Sequence, residues 1–224
     1  MPFPVSVIIP TLNEEDWIAA AVQSAFGAGA AEVIVADGGS FDRTARLAKS
    51  AGARVMLSDR LRSRRLNHAA ESATGRSLIF LHADTRLPAG GVAAVHEALD
   101  DGAIFGGFRL RFAEPQTKLR VAERMINFRS AITRCPWGDQ AQFIRRDVFR
   151  QLGGFRELPI MDDYELALRL RGSGRSRILP LTVITSGRRF LQKGLWRTAW
   201  TNWRIIAKYH AGADVEELAK MYRR

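Results

Sequence analysis

Val5-Ser6-Val7-Ile8-Ile9-Pro10-Thr11-Leu12-Asn13-Glu14 is the stretch that decides the fold. Its first five residues form a short, mostly apolar run without alternation, as expected of a strand covered on both faces of a parallel sheet. Two further runs repeat the form: Glu32-Val33-Ile34-Val35-Ala36 before Asp37-Gly38-Gly39-Ser40, and Ser77-Leu78-Ile79-Phe80-Leu81 before His82-Ala83-Asp84. Between them, residues 14–28, 42–51 and 60–74 are expected helices. In the first, Trp17, Ile18, Ala21, Val22, Ala25 and Phe26 recur at helical spacing. A shorter strand, Arg54-Val55-Met56-Leu57, fits between the second and third helices. Alternating strands and helices predict a doubly wound α/β fold, a mostly parallel sheet with helices on both faces. All three strong strands end in polar, acidic or glycine-rich residues. In an open parallel sheet ligands bind at that edge, so the chain reads as a small-molecule enzyme.

Past residue 100 the pattern changes. Phe105-Gly106-Gly107-Phe108-Arg109-Leu110-Arg111-Phe112 alternates like an edge strand, and a helix is expected over 116–133. Trp137 to Ile144 reads as a second strand that opens with polar groups. Residues 146–152 look helical, Gly153-Gly154 stop them, and an acidic-headed helix covers 162–172. After Ser186 the chain is basic and aromatic. With no repeat, low-complexity tract or linker, the expected organisation is one domain over 1–190, with 191–224 a helical extension packed on it.

The 224 residues are 46% hydrophobic, enough for one sizeable core. Net charge is +11, from five lysines and 29 arginines against 23 acids. Arginine's planar fork suits phosphate and carboxylate, although an arginine-rich genome accounts for the excess equally well. Cys135 is the one cysteine, which excludes an internal disulfide or a multi-thiolate zinc site; with no base partner in view it reads as a packed thiol. No apolar run approaches the ~18–20 residues that span a bilayer. Met1-Pro2-Phe3-Pro4 lacks a basic secretion-type start, so the expected address is cytoplasmic.

Asp37-Gly38-Gly39-Ser40-Phe41-Asp42 either brings backbone and a carboxylate against a ligand or caps the next helix through Ser40 or Asp42. His82 and Asp84, two apart at a strand end, are expected to converge on one cation; a hard Mg²⁺ or Mn²⁺ needs only one or two protein carboxylates when a diphosphate supplies the rest. The competing reading has Asp84 cap the turn towards Pro88. Asp162-Asp163-Tyr164-Glu165 either complements a helix dipole or supplies a general base. Arg62, Arg64 and Arg65, followed by Asn67, and the pair Arg188-Arg189 are phosphate candidates or solvated basic faces. His68, His96 and His210 have no ligand-like spacing.

Taken in order, these motifs resemble the family-2 glycosyltransferases, whose fold is the nucleotide-diphospho-sugar (GT-A) type. The resemblance is finer to a small bacterial subgroup associated with radical-SAM/selenium-domain or arsenosugar gene clusters, through Asp37-Gly38-Gly39-Ser40, His82-Ala83-Asp84-Thr85, Gly138-Asp139-Gln140 and Ser186-Gly187-Arg188-Arg189. It implies that Pro10, Thr11, Asn13 and Glu14 border a uridine or guanosine pocket, that Asp37 hydrogen-bonds the base, and that Gly38, Arg64 and Asn67 lie on the nucleotide. It implies a divalent metal at Asp84, Asp163 as base with Asp162 beside it, His82, Asp139 and Gln140 near the sugar or acceptor, and Arg188 and Arg189 on phosphate. The implied reaction is inverting transfer from a nucleotide-sugar to an acceptor hydroxyl. Two positions depart from the family pattern: His82 replaces the first acid of Asp-x-Asp, and Asp162 replaces a glutamate.

Two other activities are weighed against this. A nucleotidyltransferase of the same fold would carry a basic, glycine-rich first loop, whereas Pro10-Thr11-Leu12-Asn13-Glu14 is acidic. A nucleic-acid-binding module would use the Trp/Arg tail to stack bases, but Trp196, Trp200 and Trp203 recur at helical spacing, as in a core or interfacial helix. The same tail predicts peripheral contact of residues 190–210 with the inner face of a membrane.

Overall fold

The computed structural model describes residues 4–223. Met1-Pro2-Phe3, on which the reading of the amino terminus rests, lie outside the described residues. The first half runs β1 (Val5–Thr11), α1 (Ile18–Gly27), β2 (Glu32–Asp37), α2 (Thr44–Ser50), β3 (Arg54–Leu57), α3 (Arg62–Ser72) and β4 (Ser77–Phe80). The second half runs β5 (Thr85–Arg86), α4 (Gly91–Asp100), β6 (Ala103–Phe112), α5 (Thr117–Thr133), β7 (Gln142–Arg145), α6 (Arg146–Gln151), α7 (Asp162–Arg171) and β8 (Arg175–Thr185). Three helices follow: α8 (Arg188–Lys193), α9 (Leu195–His210) and α10 (Val215–Arg223).

One mixed sheet holds all eight strands in the order β3-β2-β1-β4-β7-β6-β8-β5. The first four are parallel, β7 is antiparallel to both neighbours, and β6 and β8 are parallel to each other. Alternate strand residues enter two cores. Val7, Ile9, Val33, Val35 and Ile79 belong to one, with α1; Ile8, Ile34, Leu78 and Phe80 belong to the other, with α3 and α7. Burial on both faces is why these strands read as continuous apolar runs. Each fully buried Ile or Phe contributes roughly 1.5–3 kcal/mol relative to exposure.

Two expectations are corrected. The 105–112 segment is an interior strand, held between β7 and β8; its alternation reflects only Arg109 and Arg111, which are exposed near its end. Gly106 shows how tightly it is flanked, since a Cβ there would lie 2.0 Å from the Arg177 carbonyl oxygen. The segment opening at Trp137 begins as a single 3-10 turn, Gly138–Gln140, and extends only from Gln142, because Ala141 turns through φ 46°. Helix α4 and the eleven-residue β8 were not anticipated. Cys135 is buried, and desolvation pushes its thiol up to about 11, as suits a packed, unreactive group.

Candidate active site

The parallel strands bring their carboxyl ends to one edge of the sheet, and three loops interlock there. After β1 the chain passes through Asn13 at φ 55°, a left-handed conformation that asparagine tolerates through local hydrogen bonds. Ser40 Oγ accepts from Asn13 N at 2.9 Å, Asn13 Oδ1 accepts from Phe41 N at 3.1 Å, and Thr44 Oγ1 accepts from Glu14 N at 2.8 Å. Asp37, buried at the end of β2, organises its own turn: Oδ1 accepts from the Gly39 and Ser40 amides and from Ser40 Oγ. Gly38 rests on the buried Arg65 guanidinium, and a Cβ at 38 would lie 1.9 Å from Arg65 Nη1. Pro10 and Thr11 stand beside this turn, paired in register with Ala36 and Asp37, and the Thr11 hydroxyl is buried without a partner.

A second group forms where α3, α7 and the 138–140 turn meet. Arg62 Nη1 donates to Asp162 Oδ1 at 2.7 Å, and Nη2 donates to His82 Nε2 at 2.9 Å. Because arginine offers only donors, His82 must accept at Nε2 and carry its proton on Nδ1. Burial and the adjacent Arg62 push the imidazole down to about 3, so it is neutral at physiological pH. Asp163 Oδ2 accepts from the Gly138 amide at 2.5 Å. Gly138 has no room for a side chain: a Cβ would lie 2.7 Å from both Asp163 Oδ2 and His82 Nε2. Met161 at φ 63° and Ala141 at φ 46° flank these residues, and strained backbone beside Asp162 and the 138–140 turn is the kind found at functional sites.

The third group is Glu14, Arg188 and Asp84. Arg188 holds Glu14 through both terminal nitrogens, at 2.9 and 2.6 Å, while Nη2 lies 3.2 Å from Asp84 Oδ2. Burial raises Asp84 and Arg188 opposes it, with a net shift upward. Charges in the groups act on one another. Arg65 responds to Arg62, Asp37 and Asp162; His82 to Arg62, Asp163 and Arg188; Asp139 to Arg129, Asp163 and Asp84. Side chains 37, 84 and 163, remote in sequence, thus stand towards the same edge of the sheet, each among charged or polar partners.

The family model described as Glycosyl transferase family 2 matches residues 6–156. The chain belongs to that family. Asp162, Asp163 and Arg188 lie beyond the matched segment. No curated protein matches the chain significantly. Among solved structures, it is similar to the mannosyltransferase PcManGT from Pyrobaculum calidifontis in complex with GDP-Man and Mn²⁺, with TM-score 0.68 and 19% identity over 99% of this chain and 69% of that one. It is similar to S. aureus TarS 1-349 in complex with UDP-GlcNAc, with TM-score 0.64 and 17% identity over 82% and 58%. Glucosyl-3-phosphoglycerate synthase from Mycobacterium tuberculosis, in complex with Mn²⁺, UDP and glucosyl-3-phosphoglycerate, gives TM-score 0.53 and 18% identity over 80% and 70%. Against the longer TarS structure, this chain spans 36% of the length. These likenesses establish the GT-A fold.

Within this family-2 fold, several expected site residues are engaged by other groups of the protein. His82 and Asp84 take different partners: β4 ends at Phe80, so strand alternation does not reach them, and His82 accepts from Arg62 while Asp84 lies beside Arg188. Arg64 is exposed and paired with Asp59 and Glu157. Asn67 holds the backbone of Phe155 with both amide atoms. Gln140 is fully buried, donating to the Phe108 carbonyl and accepting from Ser130 Oγ, so it knots its own turn. Arg189 lies over the Tyr222 ring, 3.4 Å from its centroid, and desolvation lowers it to about 10. The residues that reach this sheet edge from α3 are Arg62 and Arg65. Their spacing to Leu66 and Ala69, both buried, puts them on the inward stripe of the helix and Arg64 off it, and that phase was readable.

Among the described residues no three His, Cys, Asp or Glu side chains gather as a metal site. Asp84 and Glu14 nevertheless share one cation, the Arg188 guanidinium. Hard divalent ions are commonly held by one or two carboxylates plus substrate phosphate oxygens, and this donor set fits Mg²⁺ or Mn²⁺ on that pattern. His82, with Nε2 already accepting from Arg62, has no part in it.

Proposed function

We propose that the chain is an inverting, nucleotide-sugar-dependent glycosyltransferase, with residues 1–190 as the transferase domain and 191–224 as an extension of it. The observation that carries the reading is the juxtaposition of Asp163 with His82, Arg62 and the Gly138 amide, at the same sheet edge as the Asp37 turn. Asp37, Gly38, Pro10, Thr11 and Asn13 border the nucleoside, over the Arg65 guanidinium. Asp163 takes the proton of an acceptor hydroxyl as its oxygen attacks the anomeric carbon; the bond from that carbon to the diphosphate breaks on the opposite face, and the nucleoside diphosphate leaves with the electron pair. Arg188 supplies a fixed positive charge for that leaving group. When bound at Asp84, Mg²⁺ or Mn²⁺ supplies further neutralisation of the diphosphate. Asp162, held by Arg62, positions the head of α7 rather than touching substrate.

Support for a nucleotide-sugar donor comes from the family and from neighbours solved with UDP-GlcNAc and GDP-Man. Membership of the radical-SAM or arsenosugar subgroup remains part of this proposal and rests on the motifs at 82–85, 138–140 and 186–189. Among the described residues no helix is long and apolar enough to cross a membrane, and peripheral contact through the C-terminal helix belongs to the same reading. Thermal-shift titration with UDP- and GDP-sugars, with and without Mn²⁺, tests the reading, since a ligand bound only by the folded state raises the melting midpoint. If no nucleotide-sugar shifts it, the donor assignment fails.

A further inference from the structure

Helix α5 carries Val121, Met125, Phe128 and Ile132 at spacings of four, three and four, one stripe along one side. All four are exposed, Phe128 at 69% and Ile132 at 65%. Helix α9 touches α5 and presents Trp196, Trp200 and Trp203, also exposed, with the last two stacked at 5.0 Å between ring centroids. Soluble surfaces rarely expose this much apolar area on adjoining helices.

Charge identifies the occupant. Helix α9 contains no acidic residue, and Glu123, the one acid of α5, is buried against Arg120 and the Phe112 amide. Lys118 and Arg124 are exposed on α5, and Arg197, Arg204 and Lys208 on α9. Between α9 and α10 lies a cavity of about 290 Å³, lined by Arg197, Thr201, Arg204, Lys208 and Met221. Among the described residues the lining holds three cations and a hydroxyl and no side-chain carboxylate, a phosphate-accepting set. The acids of this region, Asp214, Glu216 and Glu217, stand at the turn between α9 and α10 and at the head of α10.

We infer that the joined outer faces of α5 and α9 dock the protein on an anionic lipid bilayer, with one lipid phosphate seated among Arg197, Arg204 and Lys208. Indoles and long cations side by side are the composition of an interfacial helix, whose apolar side sinks to the headgroup boundary. A second copy of the chain is a poorer occupant, because a twofold contact would bring these cations against themselves. Nucleic acid is poorer too, since Val121, Met125 and Ile132 offer nothing to a phosphate backbone. His210, at the end of α9, meets Tyr164 Oη at 2.8 Å, so the docking helix is tied to the helix that bears Asp163. The inference rests on and deepens the peripheral contact proposed above, and it is tested without donor, so that its failure is distinct from failure of the sugar-transfer reading.

Vesicle co-sedimentation of the full chain, with tryptophan emission as a second readout, tests the inference. Binding to vesicles of phosphatidylglycerol and phosphatidylcholine, with a blue shift in emission, and little binding to phosphatidylcholine alone, is expected. Each cation near an anionic surface is worth roughly fivefold in affinity, so Arg204→Gln/Lys208→Gln is expected to weaken binding about 25-fold. Phe128→Ser and Trp200→Ser, exposed positions where the fold has little to lose, are expected to remove the blue shift while the circular dichroism melt stays unchanged. Soluble glycerol phosphate is expected not to shift the emission. No binding to the anionic vesicles, binding indifferent to these four substitutions, or a dimer in sedimentation velocity that Trp200→Ser dissociates would each overturn it.

Discussion

Arg62 Nη1 lies 2.7 Å from Asp162 Oδ1, joining the start of α3 to the head of α7 across a hundred residues of chain. Asp162 is almost wholly buried, and its second oxygen has no partner, so the guanidinium is its main compensation. Removing one member of a buried pair leaves an uncompensated charge. Arg62→Met is therefore expected to destabilise the fold by about 3 kcal/mol in chemical denaturation, whereas Arg62→Met/Asp162→Leu recovers most of that loss. The single variant also removes the charge that helps hold the His82 imidazole down. Its pKa, followed by NMR, is expected to rise from about 3. A double variant no more stable than Arg62→Met would show that the pair does not set this cost.

Asp163 is the carboxylate that the proposed chemistry requires. Asp163→Asn keeps the size and one of the two acceptors used by the Gly138 and Tyr164 amides but cannot take a proton, and positioned bases typically contribute 10²- to 10⁴-fold, so transfer is expected to fall by at least about that factor. Nucleotide affinity, measured by calorimetry, is expected to hold, because Asp163 faces Gly138 and His82 rather than the Asp37 turn. A variant that turns over at the wild-type rate would place the base elsewhere.

The parts legible in sequence were those fixed by local periodicity. Strands β1, β2 and β4 declared themselves because both their faces are buried, the half-exposed edge strand β3 by its place between two helices, and the acidic head of α7 because its carboxylates follow a strand-breaking, glycine-containing stretch. Pairing in the second half is set by contacts remote in sequence. The β6–β8 ladder joins residues about seventy apart, and no local pattern distinguishes its flanked strand from an edge. Side-chain direction at strand ends was likewise hidden. His82 and Asp84 take different partners beyond a strand that stops two residues before the first of them, and Asn67 turned to Phe155 for a backbone that bends at Gly153 and Gly154, at φ 73° and 71°.

Asp139 gives the site a pH signature. Burial raises its carboxyl to about 6 from 3.8, Arg129 opposing, and its Oδ1 is buried without a partner. The folded state therefore holds a proton that the unfolded state has released between pH 3.8 and 6, and stability falls as pH rises through that window. Above it, Asp139→Asn removes the cost of a buried charge and is expected to stabilise the fold by of the order of 2 kcal/mol at pH 7, with little gain at pH 3.5. Melting midpoints of both proteins across that range check the sign. A gain that grows towards acid would contradict it.

Arg188 is held between two carboxylates, Glu14 and Asp84, and opposes the burial that pushes Asp84 up. In Arg188→Gln that opposition disappears, so Asp84 protonates at higher pH and the acidic limb of kcat/KM is expected to move upward. A hydrogen bond from a charged donor is worth about 1.5–3 kcal/mol, so the KM for a nucleotide-sugar is expected to rise at least about tenfold. Should KM and pH profile both stay put, Arg188 is a surface ion pair without a role at the diphosphate.

Asn67 separates support from contact. Its Nδ2 donates to the Phe155 carbonyl at 2.8 Å and its Oδ1 accepts from the Phe155 amide at 2.9 Å, pinning the turn after α6 to α3. Phe155 in turn packs edge-on against Phe80 and Phe149. Asn67→Ala strands both backbone groups and is expected to destabilise the fold by about 2 kcal/mol. Since neither amide atom is free for a ligand, nucleotide affinity at a temperature where the variant is folded is expected to match the wild type. A variant that keeps its melting midpoint but loses the nucleotide would return Asn67 to the binding pocket, and would mean that the turn after α6 opens when the donor binds.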